Sequence, residues 1–304
     1  MRARLLISTL IGLASGFLCW FLMIRFQQGA ADFQWAIHLA HRVLARQNPY
    51  DTPLEQYPLT AGVFALPFLG FSAEAAAAVF YGLSSGLLAF GLTRHGYHRL
   101  LIFLAFPYWS GLLTVQWSAA VTASAFFPIL LPFTSAKPQI GLPVFLTRLS
   151  RTGLAVTAAV VLATFAFMPN WPRLWLAQSG NYQHFIPLLI FPGPLLLLVL
   201  LRYRDRDGWL LLVGACMPQR WFYDPFFLWL IPKTRRQIVY TAGLSWVPGI
   251  WRWYHTPHSF MQVGRWTVLW LYLPMLVVLL LRKTGQEYPS EPAAPEQTDS
   301  GDRS

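Results

Sequence analysis

Carboxylates are what this chain is shortest of: 12 Asp and Glu stand against 23 Lys and Arg in 304 residues, and charge of either sign makes up only 12%. So thin a charge cover excludes an ordinary water-soluble surface, and it excludes the strongly charged composition of a disordered chain. Cysteine is scarce as well. Cys19 and Cys216 imply no disulfide framework, and each sits in an apolar run where a lone cysteine reads as a small packing residue. The sequence shows no internal repeat and no second domain.

What is present is apolar. Hydrophobic residues make up 55% and aromatics 16%, and the mean hydropathy is positive, which together read as a membrane protein. The first run, Leu5 to Ile24, is about 20 residues, enough at 1.5 Å each to cross roughly 30 Å of hydrocarbon. Arg2 and Arg4 precede it, as in a secretory signal. Its apolar core exceeds the roughly 7–15 residues of a cleaved signal, so it reads as a retained signal-anchor.

A formal charge of +11 would suit nucleic acid, but its distribution does not. Fourteen of the 23 basic residues lie in short clusters between apolar runs: Arg2/Arg4, Arg94/Arg99, Arg148/Arg151, Arg202/Arg204/Arg206, Lys233/Arg235/Arg236 and Arg282/Lys283. Such clusters mark the cytoplasmic side of membrane spans. Between them the apolar runs 5–24, 73–92, 100–115, 119–133, 152–168, 185–201, 238–251 and 266–281 read as crossings. The stretches 126–151 and 206–233 are too short or too rich in proline to span, with Pro128, Pro132, Pro138 and Pro143 in one and Pro218, Pro225 and Pro232 in the other. Broken segments at membrane depth occur where they are packed in protein or line a cavity. The expectation is an all-α polytopic membrane protein of about eight to ten transmembrane helices with broken or re-entrant segments. It forms one domain over 1–284, and residues 285–304, rich in Pro, Glu and Ser, read as a disordered cytoplasmic tail.

Elimination narrows the carboxylates. Five lie in the tail, and Asp205 and Asp207 belong to a basic loop. Glu74 follows Ser72 at a helix start, where it interacts well with the helix dipole. Asp51 and Glu55 lie in the turn-rich "NPYDTPLEQYP". Asp32 precedes Phe33, Ile37, Ala40 and Leu44, an apolar stripe opposite Gln34, His38, His41 and Arg42. That is an amphipathic helix suited to the outer membrane surface, with Asp32 either its N-cap or a carboxylate aimed at the mouth of a bundle. Asp224, beside Arg220, either pairs with that arginine or serves a function, as ionisable groups at membrane depth commonly do. His255 and His258 have no acidic or cysteine neighbour and do not read as a metal site.

These residues carry a resemblance. "GADFQWAIHLAHRVLARQNPYDTPLEQYPLTAGVFALP" resembles the first outer loop of polyprenol-phosphate-sugar-dependent glycosyltransferases of the C-type membrane fold, above all glycosyltransferase family 87. "TVQWS" (114–118), "AKPQIGLP" (136–143) and "PQRWFYD" (218–224) are similar to later elements of that family. The resemblance implies transfer of a sugar, mannose by the family's default, from a polyprenyl-phosphate donor to a lipid or glycan acceptor. It places this at the outer face of a bacterial inner membrane, with membrane lipids as surroundings and without metal, cofactor or nucleic acid. It makes Asp32 the general base of an inverting displacement and gives the donor phosphate to Lys137 and Arg220. Gln116, Gln139 and Asp224 would then bind substrate, and Tyr50 and Asp51 would shape the acceptor cleft. On the residues alone, Lys137 could instead snorkel to the interface, and the glutamines could simply bridge helices. A lipid or sugar-lipid transporter, or a non-catalytic protein on the same scaffold, would also use broken helices and buried cations.

Overall fold

A computed structural model describes residues 1–51, 57–179 and 183–282; the tail expected over 285–304 lies outside them. The described chain is helical, its only β feature an isolated bridge between Phe185 and Gln219. Thirteen α-helices follow one another: α1 (Arg2–Phe26), α2 (Phe33–Leu44), α3 (Leu59–Ala65), α4 (Ala73–Leu92), α5 (Phe106–Leu113), α6 (Ser118–Ser124), α7 (Pro138–Thr147), α8 (Arg151–Phe167), α9 (Trp171–Ser179), α10 (Arg206–Cys216), α11 (Arg235–Tyr254), α12 (Phe260–Thr267) and α13 (Leu273–Leu280). Shorter 3-10 segments join several of them.

Three helical stretches, Arg2–Phe26, Ala73–His95 and Phe260–Leu280, are long and apolar enough to cross a membrane. A fourth exists if α8 and the helix after it, bent by 94° at Met168–Asn170, count together. Among the described residues, other expected crossings are assembled from shorter pieces. Residues 100–115 combine the 3-10 segment Tyr97–Leu104 with α5, and 185–201 consist of the 3-10 segments Pro187–Leu189 and Gly193–Arg202. Each such α- or 3-10 segment opens with a proline or carries one nearby, and proline removes a backbone donor and ends regular helix.

α1 leaves Leu6, Leu13, Phe17 and Phe21 exposed and packs its small residues along α4. A Cβ on Gly12 would lie 2.9 Å from the Gly82 carbonyl oxygen, and one on Gly82 equally close to that of Gly12. Glycines spaced by four let the two backbones touch. Cys19 is buried in this region as expected, whereas Cys216 is exposed at the end of α10.

The proline-broken stretches fold as hairpins. Beyond α6 the chain reaches Phe126, which meets His95, and the 3-10 segment Pro128–Ser135 returns until Phe133 faces Trp117, the residue before α6. Chain direction then reverses again at Ala136–Lys137 into α7. A Cβ on Gly141 would collide with the Thr134 carbonyl, so glycine permits this tight turn. α10 and the 3-10 segment Asp224–Leu230 form the other hairpin, with residues 217–223 at its tip. The run 119–133, expected as one crossing, is therefore two antiparallel halves.

α2 differs from expectation in its buried face. Phe33, Ala36, Leu39 and Ala40 turn inward while Leu44 is exposed. Phe33 stacks on Phe80 at 4.1 Å, and Leu39 lies against Gly62 of α3. Packing on Phe80 and Gly62 sets its orientation.

Candidate functional site

The tips of the hairpins meet the start of α2. The link from α1 to α2 passes through left-handed residues Gln27, Gly29 and Ala31, and the Asp32 amide donates to the Thr114 carbonyl at 3.2 Å. Asp32 occupies the N-cap position of α2 but makes no side-chain cap. Its carboxylate instead accepts a hydrogen bond from Nε2 of Gln116.

Gln116 is fully buried, on a turn in which Val115 takes φ 50°. A β-branched residue there is an outlier costing on the order of 1–3 kcal/mol, kept only where surrounding structure enforces it. Gln116 Oε1 accepts from Lys137 Nζ at 2.7 Å, and Lys137 Nζ also meets Asp224 Oδ1 at 2.9 Å. The carboxylate on one end of the amide and the ammonium on the other fix which atom is nitrogen and which oxygen. Asp224 Oδ2 in turn accepts the main-chain N–H groups of Arg220 at 2.8 Å and Trp221 at 3.4 Å.

One continuous polar chain thus runs Asp32, Gln116, Lys137, Asp224, from residues up to 192 positions apart in sequence. Lys137 does not snorkel: its side chain is 5% exposed, that of Asp224 is 0% exposed, and the Tyr223 ring faces Nζ at 4.8 Å. Such a pair persists out of water only when its geometry and remaining hydrogen bonds are satisfied. Asp32 is the partly accessible member, so one end of the chain is open and the other end is closed.

The other expected residues are placed differently. Arg220 reaches Asp224 through its main-chain amide, and its guanidinium lies 5.4 Å from the Phe260 ring centroid. Gln139 is half-buried in the first turn of α7. Tyr50 and Asp51 form a single 3-10 turn. The Tyr50 hydroxyl donates to the Tyr57 carbonyl, its own carbonyl accepts from Gln178, and Asp51 pairs with Arg42 at 3.7 Å. That turn is braced against α2 and α9.

At the opposite end lies a second polar centre that elimination on the sequence set aside. Asp207, expected in a basic loop, is buried and holds Arg148 at 3.0 Å, Lys233 at 2.9 Å and Arg282 at 3.0 Å. Asp205 takes the other share of Arg282 at 2.8 Å. Burial works against the ionised carboxyl of Asp207, but the three cations together hold it below the ordinary range. Burial, with Arg99 and Arg148 adding to it, pushes Lys233 down to about 8 despite Asp207. The basic clusters converge here: Arg4 donates to Phe90 and Thr93, His98 bonds the Lys233 carbonyl, Arg99 donates to that of Pro232, and Arg202 donates to those of Leu280 and Arg282. The expectation that they share one side therefore agrees with the fold. Comparison of the chain with protein-family models, with curated proteins and with solved structures finds no match.

Proposed function

We propose that this chain is a membrane glycosyltransferase that moves a sugar from a polyprenyl phosphate to a hydroxyl of a lipid or glycan acceptor. The observation that carries the reading is the unbroken chain Asp32–Gln116–Lys137–Asp224, because it joins four residues that the family resemblance implies from four separate patches. Asp32, at the accessible end, takes the proton of the acceptor hydroxyl. The acceptor oxygen bonds to the anomeric carbon while the bond from that carbon to the phosphate oxygen breaks, inverting the centre. The leaving group departs as a phosphate anion and needs a cation more than a general acid, so one carboxylate suffices where glycoside hydrolases use two.

Lys137 is the cation nearest Asp32 along the chain. In the described state Asp224 neutralises it; an arriving phosphate competes with that carboxylate, and Asp224 recovers the lysine when the lipid phosphate leaves. By the distribution of positive charge, the Asp207 end faces the cytoplasm and Asp32 faces outward, which in a bacterial inner membrane is the side of lipid-linked sugar donors. Transfer of radiolabelled sugar from a polyprenyl-phosphate donor to membrane lipids, wild type against Asp32→Asn, tests the reading. Transfer by wild type alone supports it, equal transfer by both removes Asp32 from the chemistry, and transfer by neither removes the reaction.

The buried Lys137–Asp224 pair at the tips of two hairpins also suits a lipid or sugar-lipid transporter, whose broken helices carry ionisable pairs at their midpoint. Lipid flux in vesicles that depends on Lys137 but not on Asp32 would favour that second reading.

A further inference from the structure

The end of the bundle opposite Asp32 holds more positive charge than its own carboxylates balance. Arg148, Lys233 and Arg282 surround Asp207, with Asp205 behind Arg282. Arg99, buried, donates to the Pro232 carbonyl. Arg94 donates to the Phe126 carbonyl and lies 4.8 Å from the Phe127 ring. Arg99, Lys233, Arg148 and Arg94 all bear electrostatically on the exposed His95. Five cations therefore gather about two carboxylates, and of the six carboxylates among the described residues the other four belong elsewhere.

The cluster is reachable. The side chains of Arg148 and Lys233 are 26% and 23% exposed, and Arg94 and His95 are open. Around them Tyr97, Leu146 and Leu149 are also exposed. Cations set among outward apolar side chains at a helix-bundle rim match the chemistry of an anionic headgroup whose chains continue along the apolar flank.

We propose that the rim formed by Arg94, His95, Arg148 and Lys233, with Arg99 buried behind it, binds a phosphate group, supplied in the membrane by the headgroup of an anionic phospholipid. The guanidinium of Arg148 keeps donors beyond the one given to Asp207, the ammonium of Lys233, which also donates to the Leu230 carbonyl at 2.6 Å, keeps one, and Arg94, outside the ion-pair knot, adds charge at the entrance. This inference rests on a membrane location and not on the role assigned to Asp32.

Full-length protein extracted from vesicles of phosphatidylcholine with phosphatidylglycerol provides the test, by counting lipids retained in native mass spectrometry. The expected result is selective retention of phosphatidylglycerol. Each removed cation should weaken retention by about five-fold, since one basic residue near an anionic surface contributes about 1 kcal/mol. Arg94→Gln and Arg148→Gln are the variants; Arg94 does not hold Asp207, so its change leaves the knot intact should Arg148→Gln fail to fold. Equal retention of both lipids by wild type, or selectivity unchanged in Arg94→Gln, overturns the proposal. Competition by millimolar inorganic phosphate stronger than by phosphatidylglycerol assigns the site to the free ion and overturns the lipid source. The segment after Arg282 carries Glu287, Glu291, Glu296, Asp299 and Asp302. Selectivity appearing only in a full chain with these changed to amides makes that segment the occupant, and it too overturns the proposal.

Discussion

The two polar centres are near mirror images in charge. At the Asp32 end one lysine stands between two carboxylates, with a glutamine amide carrying the chain from Lys137 to Asp32. At the Asp207 end one buried carboxylate stands among three cations. The first arrangement leaves a carboxylate at the accessible end, where it can take a proton. The second hides its carboxylate and turns cations outward, where they can hold an anion. Both draw on a small stock, and four of the six described carboxylates are spent on them.

The largest effect that would break this comparison is chemical. Asp32→Asn keeps the shape and the hydrogen bond to Gln116 but not the basicity, so sugar transfer should fall by about 10²–10⁴-fold with the thermal midpoint nearly unchanged. At the other end the effect falls on stability. Asp207→Asn leaves three cations facing one another and should cost about 3 kcal/mol, the low side of the range for a broken buried pair because Arg148 and Lys233 reach solvent; urea unfolding in mixed micelles reads this directly.

Lys137→Met should destabilise by a comparable ~3 kcal/mol by stranding Asp224 without a counter-charge. The double change Lys137→Met with Asp224→Leu should restore most of that stability while transfer stays lost. Restored activity in the double variant would show that the pair serves packing alone. The smallest effect is a pH dependence. Asp207 has its carboxyl held below the ordinary value of 3.8, so its contribution is complete above that value and is lost as pH falls through the lower folded-state value. The loss of stability with falling pH should therefore be shallower in Asp207→Asn than in wild type, and identical acid profiles would deny Asp207 its role in the knot.

Much of the first centre was legible in the sequence. Elimination singled out Asp32 and Asp224, the family resemblance implied Gln116 and Lys137, and proline marked the two broken stretches that carry Lys137 and Asp224. Hairpin direction was not legible. Hydropathy over 119–133 is the same whether the chain crosses once or turns at Phe126, and only ring contacts such as Phe133 with Trp117 decide it. Asp207 was hidden for a different reason. In "RYRDRDG" it looks like one charge in a basic loop, and its partners Arg148 and Arg282 lie 59 and 75 residues away. The buried face of α2 was offset for a similar reason, because Gly62 and Phe80, not the helix itself, determine which side faces inward.

α7 and the 3-10 segment Asp224–Leu230 are each fastened twice. Lys137 to Asp224 ties one pair of ends, and Arg148 to Lys233 through Asp207 ties the other. Over the ten residues of α7 the ties stand about 15 Å apart. The result is a closed four-bar frame: two stiff rods and two ionic rungs. With both ends tied, tilting either segment stretches at least one of these ionic contacts.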